Sequence, residues 1–159
     1  MEKSFAPIIG NNPKILILGT LPGKESLRLQ QYYGHPRNAF WKILFSLFKE
    51  EEHNDYEEKV AFLKRNKIAL WDVCMAANRK SSLDVDIKNE EPNAIISLLE
   101  RHPSIRVVGF NGQKAEQLYK RYFSKREDIN YHTLLSTSPA NATYTFSEKL
   151  TNWKTILEA

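Results

Sequence analysis

Apolar residues fall in short blocks, separated by polar segments punctuated with Gly and Pro. Four blocks carry the consecutive apolar runs of strands buried on both faces: Lys14–Gly19, Ile68–Val73, Ile105–Phe110 and Tyr131–Leu135. The first is the clearest, with Ile15, Leu16, Ile17 and Leu18 ahead of a glycine. Segments with helical spacing lie between them. Asn38–Phe48 places Phe40, Trp41, Ile43, Leu44, Leu47 and Phe48 on a broad apolar face. Asn38 stands where such a helix needs its N-cap. Tyr56–Arg65, Pro92–Arg101, Gln113–Phe123 and Ser147–Leu157 are predicted helices as well, the second with Pro near its first turn. Ser81–Lys88 reads as irregular, and the acidic stretch Lys49–Lys59 as a solvated loop leading into a helix.

Strands and helices therefore alternate. The economical architecture is α/β and three-layered, with a four-stranded parallel sheet between helices. Ligands of such sheets bind outside the carboxyl ends of the strands. That rule selects Gly19–Ser26, Asp72–Asp86, Asn111–Gly112 and Ser136–Asn141, which are the Gly-, Ser- and Asn-rich parts of the chain.

Length and composition narrow the picture. The 159 residues fit one domain, 1–159, with 42% hydrophobic and 26% charged residues. No apolar run is long enough to span a bilayer, and the N-terminus lacks the order of a secretory signal. A single cysteine, Cys74, excludes an internal disulfide and a cysteine-built zinc site. It reads as a small buried residue, and a reducing, cytoplasmic setting is expected. The net charge of +4 is compatible with nucleic acid.

The loops carry the candidate chemistry. Gly19-Thr20-Leu21-Pro22-Gly23 follows a buried strand, where glycines let backbone amides approach a ligand. Lys24-Glu25-Ser26 does not complete a Walker loop, and no Gly-x-Gly-x-x-Gly fingerprint occurs. In Tyr32–Trp41, Asn38 is either a helix cap or an amide that holds a water or a base edge, roles that are not exclusive. Phe40 and Trp41 read as core, whereas Tyr33 lies in a segment punctuated by Gly34 and Pro36. His35 reads as a structural partner in its loop. Ser136-Thr137-Ser138-Pro139-Ala140-Asn141 suits close approach to a phosphate backbone, or else a turn that caps the last helix. Asp72, Asp84 and Asp86 read as loop caps in Asx-turns. The alternative is that one of these carboxylates stabilises a sugar cation or orients water.

Together, Gly19–Gly23, Tyr33 with His35-Pro36-Arg37-Asn38-Ala39-Phe40-Trp41-Lys42, and Ser138-Pro139-Ala140-Asn141 resemble the uracil-DNA glycosylase superfamily. Gly19–Gly23 with Ser136–Asn141 is most similar to its hypoxanthine-DNA glycosylase branch. Ala69-Leu70-Trp71-Asp72-Val73 and Ser82-Leu83-Asp84-Val85-Asp86-Ile87 also look like that branch. The resemblance runs from about Pro7 to the C-terminal end and implies the same four-stranded fold. It implies base-excision repair by a monofunctional enzyme, acting as a monomer on double-stranded DNA with a damaged base. No metal and no cofactor are expected, nor any membrane association, and a bacterial or archaeal cytoplasm is the expected setting.

The resemblance also implies roles by position. The first motif, Gly19, Thr20, Leu21, Pro22 and Gly23, would line the base pocket, and Tyr33 would stack on the extruded base. The water-activating Asp or Asn of other branches is replaced by Thr20 and Leu21. Asn38 is implicated instead, as the residue that positions water, together with Asn111. Ser138 would grip phosphates, within a DNA-binding segment that includes Ser136, Thr137, Pro139, Ala140 and Asn141. Uracil-specific branches begin that segment with His, and Ser136 stands there in this chain. The alternatives are a uracil- or mismatch-specific glycosylase, a non-catalytic damaged-DNA-binding module, and a nucleotide-binding domain.

Overall fold

The structure, a computed structural model, describes residues 2–81 and 83–158. In chain order the first elements are β1 (Glu2–Lys3), β2 (Ile15–Gly19), α1 (Lys24–Leu29), α2 (Phe40–Leu47) and α3 (Tyr56–Arg65). There follow β3 (Ile68–Asp72), β4 (Cys74–Asn78), a 3-10 turn (Asp84–Asp86), β5 (Lys88–Pro92) and α4 (Ile95–Arg101). The chain ends with β6 (Val107–Asn111), α5 (Gln113–Tyr122), β7 (Asn130–Leu134), α6 (Phe146–Trp153) and a 3-10 turn (Lys154–Leu157).

The four expected strands form a parallel sheet in the order β3-β2-β6-β7. Alternate residues of β2 explain the three layers. Leu16 and Leu18 face Ile95, Leu98, Leu99, Ala115, Leu118 and Tyr119 of α4 and α5. Ile15 and Ile17 face Phe40, Ile43, Leu44, Phe62, Leu63 and Trp153 of α2, α3 and α6. Every residue of β2, β3 and β6 is buried, the pattern of strands covered on both faces. Gly109 is required by this packing, since a Cβ there would lie 2.8 Å from Leu134 Cδ1.

Several boundaries differ from the sequence expectation. A second sheet, β1-β4-β5, is antiparallel, so the Asp72–Asp86 segment is not one loop. Pro92 closes β5 rather than opening a helix, and α4 begins at Ile95. Proline is tolerated there because β5 is an edge strand of its sheet. The helix expected from Asn38 begins at Phe40. The expected Ser147–Leu157 helix becomes 3-10 from Lys154. The Ser81–Lys88 segment holds the 3-10 turn Asp84–Asp86, and its Ser82 lies outside the described residues. Asp55 caps α3 by accepting from Glu58 N–H at 3.3 Å, and the acidic stretch before it is largely exposed. No helix among the described residues is long and apolar enough to cross a membrane.

Candidate active site at the carboxyl edge of the parallel sheet

The strand register builds the floor of the site. Gly19 pairs with Asp72 at the ends of β2 and β3, and Asn111 pairs with Leu134 at the ends of β6 and β7. Above this row lies a cavity of about 130 Å³. Its size is close to the ~150 Å³ that accommodates benzene in an apolar core. Gly19, Thr20, Leu21, Pro22, Gly23, Tyr33, Asn38, Asn111, Ser136, Thr137, Ser138 and Pro139 line it, as do Asp72, Asp84 and His35.

The first loop is held from several sides. Val73 N–H donates to Gly19 O at 2.8 Å, and Cys74 N–H donates to Thr20 O at 3.0 Å. The Thr20 hydroxyl donates to Asp84 Oδ1 at 2.7 Å. Arg79, with only 1% of its side chain exposed, lies 3.7 Å from Asp84 and 3.3 Å from Glu2. It also donates to the Pro22 carbonyl. Leu21 turns its side chain into the core, which leaves the loop backbone and Thr20 beside the cavity.

Gly19 has the most constrained surroundings. A Cβ there would lie 2.6 Å from Asp72 Oδ1 and 2.7 Å from the Tyr33 hydroxyl. No side chain fits at that position without moving both atoms.

The second wall is the Tyr32–Ala39 segment. Gly34 N–H donates to Ser26 Oγ at 2.9 Å, anchoring the segment to α1. Tyr33 adopts a left-handed backbone, φ 52°. Its ring stacks on Phe40 with centroids 4.1 Å apart. Its hydroxyl is buried and makes no well-formed hydrogen bond among the described residues, its one polar interaction being with the Asn111 side chain; burial raises its pKa, and the Asn111 interaction opposes that. Asn38 Oδ1 accepts from Phe40 N–H at 3.0 Å. It therefore secures the helix start from one residue outside the N-cap, which is Ala39. The capping role is thus kept by the side chain although the boundary lies elsewhere. His35 accepts at Nδ1 from Arg37 N–H at 3.0 Å, which makes it a partner within its loop.

The third wall is fastened by Asn111. Its Nδ2 donates to Thr137 Oγ1 at 2.9 Å, and its Oδ1 accepts from Thr137 N–H at 3.0 Å. Thr137 O in turn accepts from Ala39 N–H at 3.0 Å, so the second and third walls are joined directly. Gly112, at φ 98°, makes the turn that brings Ser136 alongside. Ser138 Oγ accepts from Ala140 N–H at 3.2 Å. Asn141 donates from Nδ2 to Ser136 O at 3.0 Å and from its backbone to Ser138 O at 2.9 Å.

The structure thus gathers the candidate residues into one cavity, with three exceptions, one of them Asp86, which accepts from the Ser81 hydroxyl and borders a separate groove with Arg79. Ala140 and Asn141 line a neighbouring groove with Leu83, Gln113 and Tyr144. Asp72 has a larger place than an Asx-turn: it is 4% exposed, lines the cavity, and its Oδ2 has no partner among the described residues. Burial, first, and the neighbouring Asp84 push its pKa up to about 7, against the pull of Arg79. Arg79 was not distinguishable among the basic residues of the sequence. Asp72 carried one signal, its place at the end of an apolar run. Among the described residues no His, Cys, Asp and Glu cluster is arranged to hold a metal ion.

A small pocket lined by polar side chains and loop backbone at the carboxyl ends of parallel strands is where ligands of such sheets bind. The chain belongs to the uracil DNA glycosylase superfamily, whose model matches residues 7–158. It is 43% identical over 143 residues to the hypoxanthine DNA glycosylase of Methanosarcina barkeri, covering 88% of each chain. It is 37% identical over 158 residues to the hypoxanthine DNA glycosylase of Methanosarcina acetivorans, covering 98% of each. The solution NMR structure of a uracil DNA glycosylase candidate from Methanosarcina acetivorans superposes with a TM-score of 0.80. It has 36% identity and 98% coverage of both chains.

Proposed function

We propose that this protein is a monofunctional DNA glycosylase that excises hypoxanthine from double-stranded DNA, in base-excision repair. The observation that carries the reading is the single cavity uniting Gly19–Gly23, Tyr33, Asn38 and Asn111, in a chain similar along its length to hypoxanthine DNA glycosylases. A stacked base is out of reach of such a cavity. The nucleotide must leave the helix, at a cost of roughly a few kcal/mol that is least for mispaired bases.

The second-motif loop meets the backbone. Ser138 keeps its hydroxyl proton for a phosphate while its oxygen accepts from Ala140 N–H, and such hydroxyl contacts fix register on DNA. Ser136, Thr137 and Pro139 shape the same lip, and Ala140 and Asn141 continue it into the adjacent groove. Tyr33 supports the extruded base with a ring already braced by Phe40. Bond cleavage leaves negative charge on the departing base, and fixed donors there are often the largest catalytic contribution. The Thr20–Gly23 backbone supplies them, with the Asn111 amide held beside it by Thr137 and the Tyr33 hydroxyl. Asn38 uses Oδ1 to hold the helix start, which fixes its amide at the cavity wall to position the attacking water. An amide is too weak a base to deprotonate that water, so the substrate must be a fair leaving group, as hypoxanthine is. The DNA substrate and the intracellular genome go together, and a monomer suffices because every wall comes from one chain.

The test uses labelled duplexes that carry one deoxyinosine, deoxyuridine or deoxyxanthosine, followed by hot alkali. Alkali-dependent cleavage at deoxyinosine is expected, and Asn38→Ala should slow it by about a hundredfold or more. Cleavage mainly at deoxyuridine would overturn the substrate assignment. Duplex binding without base release would overturn the enzymatic reading.

A further inference from the structure

Lys149 is a cation in a place that electrostatics disfavours. It is 7% exposed, and among the described residues no hydrogen bond or ion pair holds its ammonium. Burial lowers its pKa, with no opposing carboxylate. It closes the first turn of α6, where the helix dipole repels positive charge. The elements around it hold one acid. α2, β7 and residues 135–145 contain none. Glu148 of α6 is committed to the capping box, accepting from Thr145 N–H at 2.9 Å. Buried charges are normally paired, so the counter-charge for Lys149 has to come from outside the chain.

The fold sets this cation behind the second-motif lip. Lys149 stands one turn before Trp153, whose Nε1 donates to Leu135 O at 2.8 Å. Asn152 Oδ1 accepts from Leu135 N–H at 2.7 Å. Both bonds fasten α6 to the residue that opens the lip. Helical side chains lean toward the N-terminus of their helix, so the Lys149 stem runs toward Thr145, the end at which the lip delivers the chain. Its Nζ is not one of the fully sealed unpartnered atoms, so the tip reaches the surface. Phe146, three residues earlier, shares that face. Over its ring, at 5.2 Å, lies Nζ of Lys42 from α2, an exposed residue. α2 packs on α6 at this level, with the Phe40 and Trp153 centroids 5.9 Å apart. Two cations therefore flank one aromatic ring beside the lip.

We propose that Lys149, with Lys42 beside it, is a phosphate-binding site that takes a backbone phosphate of the DNA strand lying across the lip. The inference rests on the glycosylase reading above. An ammonium offers three donors and a point charge to a phosphate. A covered one is less screened by salt than a lysine in open solvent. Free inorganic phosphate shares that chemistry.

The experiment is binding of the full chain to an undamaged duplex and to one with a cleavage-resistant 2′-fluorinated deoxyinosine, over a series of salt concentrations. The logarithm of affinity falls linearly with the logarithm of salt, by about 0.9 per phosphate neutralised. Lys149→Met keeps the stem and removes the charge. Its slope should be shallower by about 0.9, and its affinity for both duplexes should fall by the same factor, roughly tenfold at low salt. Adding Lys42→Met should bring the change to about 1.8. Lys149→Arg should keep the wild-type slope. Lys154→Met, the same loss of charge at the far end of α6, should keep it too. The melting temperature of Lys149→Met should hold or rise, because an unpaired cation leaves the interior.

An unchanged slope in Lys149→Met would overturn the proposal. So would an equal change in Lys154→Met, since net charge alone would then explain it. A melting temperature lowered in both Lys149→Met and Lys149→Gln would overturn it as well, because the cation would then be holding the fold. If inorganic phosphate raises the wild-type melting temperature, Lys149→Met abolishes that rise and the slope is unchanged, the site takes free phosphate and the DNA assignment falls. Base release from a deoxyinosine duplex separates these failures from that of the glycosylase reading. No release with the slope change present overturns only that reading, and release with the slope unchanged overturns only this site. Wild type that binds no duplex overturns this site whatever its activity.

Discussion

One added methyl group, in Gly19→Ala, probes the floor of the cavity. The new Cβ would lie 2.6 Å from Asp72 Oδ1 and 2.7 Å from the Tyr33 hydroxyl. Ordinary carbon–oxygen contacts begin near about 3.3 Å, so both atoms would have to retreat by roughly 0.6–0.7 Å. Neither has an easy path. The Tyr33 ring is stacked on Phe40, which is fully buried, and Asp72 is a buried strand residue in register with Gly19. Gly19 does not occupy the left-handed region, so alanine suffers no backbone strain. It gains about 0.4–1 kcal/mol from a less disordered unfolded chain. Overpacking costs about 1–3 kcal/mol. The net is a destabilisation of about 1–2 kcal/mol, or a melting temperature lowered by about 2–8 °C for a chain of this length. Base release should fall much further than stability, because both displaced atoms belong to the pocket. Calorimetry and single-turnover release on a deoxyinosine duplex measure the two effects. A variant that melts at or above wild type and releases base at the wild-type rate would refute the fixed placement of Asp72 and Tyr33.

Other outcomes follow from the same geometry. Tyr33→Phe removes a buried hydroxyl with no well-formed hydrogen bond among the described residues, so stability should change by no more than about 1 kcal/mol while base release slows. Asn111→Ala leaves the N–H of Thr137, a residue 1% exposed, without its acceptor. It should lower stability in urea denaturation by about 1–3 kcal/mol and loosen the Ser136–Pro139 lip. Arg79→Ala removes a buried cation from Asp84, Glu2 and the Pro22 carbonyl. The loss should be about 2–3 kcal/mol, below the 3–5 of a fully buried pair because Asp84 keeps some solvent contact. The raised pKa of Asp72 fixes a pH slope. Between about 4, where the unfolded chain loses the proton, and about 7, the folded protein holds more protons. Stability therefore falls as pH rises through that window, and melting curves of Asp72→Asn should lack this component.

The parallel sheet was legible because its strands are runs of buried apolar residues, with Ile15–Leu18 as the plainest case. The small antiparallel sheet was not. Cys74–Asn78 has the weak strand propensity of two alanines, and Lys88–Pro92 contains no aliphatic residue at all. Their extended form comes from pairing with each other and with Glu2–Lys3. Helix α1 was missed because it buries only Ser26 and has no apolar stripe. The motif residues were legible as a set, since strand topology and loop composition point to one edge. The identity of the cavity floor was not. That Asp72 faces a glycine, and that a tyrosine hydroxyl arrives beside it, depends on register and on a left-handed residue at position 33. Neither leaves a mark on local composition.

The cavity draws its walls from residue 19 to residue 139, from the ends of three strands of the parallel sheet and the loop that follows the fourth. Such non-local pairing is assembled late and slowly. During synthesis the Gly19 loop and the Asn38 segment leave the ribosome long before Asn111 and Thr137 exist to close over them. A nascent chain therefore carries the motif residues without a pocket, and has no means of gripping a base until the last strand has docked. The gain of ligand affinity would mark completion of folding itself, and a chain cut short of β7 would not be a weaker version of this protein but one with no site.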